Sequence, residues 1–429
     1  MSDLTTVVHG ANELVVGPGD DPLETYGDGA LAVVDGEVAA VGPTADVLRE
    51  YPAENAAEAI DASGRAVVPG FVDPHTHALF AGDRSDEFAA KLRGKSYQDI
   101  LAEGGGILRT VRAVREADAE TLLANLLGHL DTMLANGTTT VEVKSGYGLD
   151  TETELRMLDV IEQADRRHPV DVVPTFMGAH AIPQGRDGDD YTDEVVAEQI
   201  PAVESQGIAE FCDVFCEEGV FTVEQSRRVL RAGEEAGMTP KVHAEELAHV
   251  GGTQLAAELE AASADHLLYA TDDDIDALVE AGVTPVLLPG TAFGLGAEYA
   301  DAEAFLDAGA PVAVATDFNP NCHAHSMGFA MSLSCVEMGM TPADALVAGT
   351  RNAALALDRT AGLGTLSAGA PADFAVLDAP THVHVPYQYG TNVVDTVCKA
   401  GETVVEGGDS NVCVTDARST DMQRGGHHE

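Results

Sequence analysis

Two histidines separated by one residue, His75 and His77, are the first side chains in the chain whose type and spacing could do chemistry. On an extended strand, residues two apart point to the same side, so both imidazoles can reach one ion. A lone His-x-His pair is a weak signal. Here it is followed by His180, by His243 with Glu245 and Glu246 just after it, by Asp265-His266, and by Asp317, each at or near the end of a short apolar run. Three nitrogens from His75, His77 and His243 with one oxygen from Asp317 suit Zn²⁺ or iron, and they leave a position for water. The competing reading makes them hydrogen-bonded core histidines.

The runs themselves say what must position these groups. Between Val67 and Pro320 there are eight: VVPGFVDPH, TTTVEVKSG, VDVVPTFMGAH, FCDVFCEEG, PKVHAEE, SADHLL, TPVLLPG and PVAVATDFNP. Each is followed by polar or glycine-rich residues, and most then by a helical pattern. Eight strands with helical crossovers over roughly 250 residues match an α/β protein of the (β/α)₈ TIM-barrel type, whose reactive residues gather at the C-terminal strand ends. Short alternating strands before residue 67 and again near the C-terminus predict a small β-sandwich domain built from both termini. The expected division is 1–66 and 361–408 for that domain, 67–360 for the barrel, and 409–429 for a polar tail in which His427 and His428 are not ligands.

Three other features invite misreading. Lys144 falls on the second run, and only one complete ligand set can be assembled from the residues above, so a single metal is expected. Lys144 is then a loop support or the ion-pair partner of a buried acid. Gly104-Gly105-Gly106 lacks the spacing of a phosphate-binding loop and reads as a tight loop near the substrate. Cys212 and Cys216 read as packed thiols.

Composition sets the outer limits. The 429 residues carry 23 Lys and Arg against 72 Asp and Glu, a formal charge of −49. Such a chain repels phosphates and anionic lipid, which argues against nucleic acid and membrane partners. The acids recur along helical faces, as expected of adaptation to a salty cytoplasm. The six cysteines have no disulfide-framework spacing, and the N-terminus has no signal-peptide pattern; a reduced, cytoplasmic protein is expected.

The segments VVPGFVDPHTHALFAGDR, LAEGGGIL, TTTVEVKSGYGL, FMGAHAIP, KVHAEE, SADHL and ATDFNP resemble the imidazolonepropionase family of metal-dependent amidohydrolases, over almost the whole chain. The resemblance implies hydrolysis of 4-imidazolone-5-propanoate to N-formimidoyl-L-glutamate in histidine degradation, with one zinc or iron ion per chain and a homodimer. It implies His75, His77, His243 and Asp317 as ligands, Glu246 as the carboxylate that handles the water proton, and His266 as its catalytic neighbour. Arg84, Tyr147, His180 and Asn319 match substrate-binding positions, with Tyr97 as a possible helper. Arg84 also makes sense by itself, because a guanidinium fork suits a flexible substrate carboxylate. The chain departs from the pattern after Asn319-Pro320. Asn321 and Cys322 stand where the family has Gly and then Ser or Thr in contact with substrate or product, so they too are expected at the substrate, through backbone rather than side-chain contacts, and His323 and His325 follow as expected loop residues. The alternatives are another amidohydrolase, such as a cyclic amidase or heterocycle deaminase, and a non-catalytic metal-binding barrel.

Overall fold

The computed structural model describes residues 4–19, 22–95, 99–100 and 103–408. The C-terminal tail with its histidine pair, Cys413 and Tyr97 lie outside the described residues.

All eight expected runs contribute one strand each to a parallel sheet in sequence order: Phe71–Asp73, Thr138–Lys144, Asp171–Ala179, Phe211–Cys216, Thr239–Ala244, Ser263–His266, Thr284–Leu287 and Ala313–Val314. The ring is nearly closed. Between its eighth and first members the link is a parallel bridge of Thr76 with Phe318, where the His77 amide donates to the Phe318 carbonyl at 2.9 Å. The crossover helices follow capping chemistry: Asp118 and Asp150 each accept a backbone N–H three residues on, opening Ala119–Ala135 and Thr151–Arg167.

One run divides differently from its reading. Ala66–Pro69 belongs to a six-stranded sheet outside the barrel, and only Phe71–Asp73 enters the barrel. Gly70 separates them because the chain passes hard against the second strand. A Cβ there would lie 2.3 Å from Thr139 Oγ1. The six-stranded sheet takes strands from both ends of the chain. It packs on a four-stranded sheet, Glu37–Pro43, Gly29–Val34, Leu4–Ala11 and Glu58–Asp61, through a shared core of Val8, Leu31, Val33, Val67, Phe374 and Val376. That pair of sheets is the small β-sandwich.

Beneath the barrel mouth the inward positions are charged. Glu142 and Lys144 on the second strand, Asp213 on the fourth, Lys241 on the fifth and Asp265 on the sixth are all fully buried. Lys144 Nζ lies 2.7 Å from Glu142 Oε2 and 2.7 Å from Asp213 Oδ2, so it is the partner of buried acids. Lys241 Nζ lies 3.1 Å from Glu142 Oε1 and donates to the Pro74 carbonyl at 2.9 Å. Burial alone would strip Lys144 of its proton, but Asp213, Glu142 and Asp265 outweigh burial and hold it charged.

Candidate metal centre and active site

The strand ends bring His75, His77 and His243 together, with one nitrogen of each within 4.8 Å of the others. Asp317 Oδ1 stands 3.7 Å from His75 Nε2 and 3.8 Å from His77 Nε2. The far side of each ring settles which nitrogen faces inward. His75 Nδ1 donates to Asp265 Oδ2 at 2.6 Å, and His243 Nδ1 donates to Asp213 at 3.1 Å. Their Nε2 atoms therefore present lone pairs to the centre, an orientation typical of metal-bound histidine.

The donor set also includes a buried ring nitrogen suited to a cation. His75 Nε2 is buried without a hydrogen-bond partner, and His243 Nε2 faces His77 Nε2 at 3.3 Å. Burial first, then the neighbouring Lys144 charge, keeps His75 neutral; burial and His180 do the same for His77. Three converging imidazoles beside a carboxylate fit a divalent transition metal.

Glu246 follows His243 on the loop after the fifth strand, and its Oε2 lies 3.8 Å from His266 Nε2. Burial first, then the charges of Asp317 and Glu217, push its carboxyl up to about 8. Its neighbour Glu245 has a different task. Glu245 accepts the backbone N–H groups of Val250, Gly251, Gly252 and Thr253, and so holds the loop and opens the helix Gly252–Glu258. Glu217, at the end of the fourth strand, accepts the amides of Glu246 and Leu247 at 3.0 and 2.9 Å. Three residues at this rim, Glu245, His266 and Asp317, take left-handed φ values of 51°, 84° and 48°. Such backbone is uncommon outside glycine and clusters at functional sites.

The remaining expected site residues fall into two groups. His180 stacks on His77 with ring centroids 4.7 Å apart, and its Nδ1 donates to the Gly146 carbonyl at 3.0 Å. Tyr147 lies 5.2 Å from His180, ring to ring. The loop that presents it is shaped by Glu154, whose carboxylate accepts the amides of Gly146, Gly148 and Leu149. Gly146, at φ 96°, has no room for a side chain, since a Cβ would meet His180 Nδ1 at 2.9 Å.

Arg84 is buried, and its Nε donates to Glu87 Oε2 at 2.8 Å. Glu87 in turn accepts the Gly106 amide, which places the triple-glycine loop against the arginine. The side chains of the loop after the eighth strand hold that loop and tie it to Lys91. Asn319 Oδ1 accepts the amides of Asn321 and Cys322, Asn321 Oδ1 accepts from Lys91 Nζ at 2.9 Å, and Cys322 is buried. Sequence reasoning missed Lys91. It lies seven residues along from Arg84, close enough that burial and the Arg84 charge both lower its pKa. It missed the supporting acids Asp213 and Glu142 as well, although both alternate inward with residues it did single out.

A model of the amidohydrolase family matches residues 66–404, and the chain belongs to that family. Solved structures of low identity share the fold, among them an adenosine deaminase from Xanthomonas campestris with bound zinc (TM-score 0.72, 19% identity, 94% of this chain and 93% of that one). A second is the guanine deaminase of E. coli (TM-score 0.71, 16% identity, 94% and 99%). Sequence relatives are more particular. An imidazolonepropionase of Haloarcula marismortui is 78% identical over 94% of this chain and 97% of its own, and one of Halobacterium salinarum is 65% identical over 95% and 100%. One from Symbiobacterium thermophilum is 50% identical over 89% and 91%. Within the amidohydrolases, this chain falls in the imidazolonepropionase family.

Proposed function

We propose that this chain opens the ring of 4-imidazolone-5-propanoate to give N-formimidoyl-L-glutamate, and that His75, His77, His243 and Asp317 hold one zinc or iron ion for the purpose. The observation that carries the reading is the convergence of three imidazoles and a carboxylate at the same barrel mouth as the Glu246–His266 pair.

A metal held there lowers the pKa of a water and polarises the ring carbonyl. The chain's own groups supply the rest. Water oxygen adds to the carbonyl carbon, and the bond from that carbon to the ring nitrogen breaks. A cation held beside Asp317 would offset the charge that raises Glu246 and favour its ionised form, which accepts the proton the water loses and returns it to the departing nitrogen. His266 is placed to donate to the carbonyl oxygen as negative charge grows on it. His180 and Tyr147 flank the ring, and Arg84 with Lys91 provides cationic binding for the propionate. These two cations matter in a protein of charge −49, whose general field repels an anionic substrate. A homodimer acting in the cytoplasm belongs to the same proposal.

The test is a spectrophotometric assay with freshly generated imidazolone propionate. Consumption of that substrate, with aminopurines left unchanged, supports the reading. Turnover of an aminopurine in its place overturns it in favour of a deaminase.

A further inference from the structure

A second group of histidines lies outside the catalytic trio. His129 sits on the helix Ala119–Ala135, between the first and second barrel strands, while His323 and His325 sit on the loop that follows the eighth. His325 Nε2 and His129 Nδ1 face each other at 3.3 Å, the same separation as His243 Nε2 and His77 Nε2 in the catalytic centre. Ring centroids of the three pairs are 5.0, 5.4 and 6.1 Å apart. Those of the catalytic trio are 5.4, 4.4 and 5.4 Å. Three imidazoles around a tetrahedral ion, with metal–nitrogen bonds of about 2.1 Å, put their ring centres about 5 Å apart.

We propose that His129, His323 and His325 form a second site, for a borderline divalent cation such as Zn²⁺, that clips the loop after the eighth strand to the helix Ala119–Ala135. Among the described residues, the contact between His325 and His129 is the one hydrogen-bond-length approach made by these three rings. Burial lowers His129 to about 4 and His325 to about 3, so at neutral pH both are uncharged and offer a lone pair. Phe80 stacks on His129 at 4.9 Å, Phe318 lies tilted against His325 at 3.9 Å, and the exposed carboxylate of Asp83 is near enough to His323 to feel its charge. Aromatic rings cannot ligate, but they hold the imidazole planes in place.

His323 is exposed, and among the described residues no three ligand atoms besides those of the catalytic trio lie within 4.8 Å of one another. To close the set, the His323 ring turns inward about its own side-chain bonds. Imidazole donors without a thiolate or a fixed carboxylate select zinc, cobalt, nickel or copper over magnesium or calcium. The site joins residues 196 apart in sequence. Occupancy therefore restrains the loop that carries Asn319, Asn321 and Cys322.

The experiment is equilibrium dialysis of the intact protein against Zn²⁺ in molar KCl, with elemental analysis of bound metal. The parent should take up about two equivalents per chain, one per imidazole trio. The double variant His129→Ala/His325→Ala should take up one fewer and keep the parent's kcat. His75→Ala should lose the other equivalent together with activity. His323→Ala should weaken the second equivalent by more than the ~10–100-fold that loss of an outer support costs. Co²⁺ absorption of the milder single variant His325→Asn, which preserves shape, guards against a double variant that fails to fold. Equal zinc uptake by the parent and both His325 variants, each with a cooperative melt, overturns the proposal and leaves the three rings as a stacking cluster.

Discussion

The carboxylate of Asp265 receives the Nδ1 proton of His75 at 2.6 Å, so the opposite nitrogen of that ring is committed to the metal centre. Asp265→Asn keeps the shape but can present its N–H₂ group to His75 and favour the wrong tautomer. We expect metal affinity to fall by ~10–100-fold, as for other second partners of metal-bound histidine. Competition with a chelator measures it. Unchanged affinity would show that packing alone orients His75.

Glu246→Gln should retain the metal and lose turnover. The amide keeps the volume and cannot accept a proton, and a positioned base is worth ~10²–10⁴-fold in rate. Single-turnover kinetics on metal-replete protein are the check. A near-parental kcat moves the base role to His266, which lies 3.8 Å away.

Arg84→Met should raise KM for the propionate-bearing substrate far more than it lowers kcat. It also strands the buried Glu87 carboxylate, which would still hold the Gly106 amide. An analogue lacking the carboxylate is the internal control. The variant should lose the parent's preference against that analogue, and a preserved preference excludes Arg84 as the clamp.

Lys144→Met leaves Glu142 and Asp213 buried without their shared cation. Removing one partner from a buried charge set costs ~3–5 kcal/mol. Denaturant unfolding in molar KCl should show the midpoint drop, and metal occupancy should weaken with it because Asp213 also anchors His243. A midpoint within error of the parent's would mean that the acids bind protons in place of the lysine.

Dilution from molar KCl should lower the melting temperature even with excess metal. The Debye length grows from ~3 Å near 1 M to ~30 Å near 0.01 M, so repulsion then reaches across many neighbouring carboxylates. Unfolding spreads those charges apart, which favours the unfolded chain. A melting temperature that stays flat or rises on dilution contradicts adaptation to salt.

Much of this architecture is legible in the residues alone, for a physical reason. Barrel strands are buried on both faces, so they read as short apolar runs, and all eight were visible. Polar residues at their ends have no structural excuse and stand out, which is why His75, His77, His243 and Asp317 could be named together. The same logic fails where a polar residue is buried inside a run. Glu142 and Asp213 look like breaks in apolar patterning, and only the closed barrel shows that they face Lys144. The boundary at Gly70 was hidden because Val67, Val68, Phe71 and Val72 form one apolar stretch that two sheets divide between them. The family pattern marks Asn319 as a substrate contact, and only the fold adds that its side chain holds the backbone of its own loop. Lys91 was missed because what draws it to the site is the Asn321 side chain, 230 residues away in sequence, which only the fold brings to it.

The eighth strand is two residues long, and a single bridge from Phe318 to Thr76 links that side of the sheet to the first strand. His75 and His77 lie on one side of this seam and Asp317 on the other. An ion bound by all three is therefore a rivet through the joint of the cylinder as well as a chemical reagent. Without it the joint rests on the His77–Phe318 and Asp317–His75 backbone hydrogen bonds and on Thr316 against Asp73, so a chelator should cost the protein mechanical strength as well as chemistry.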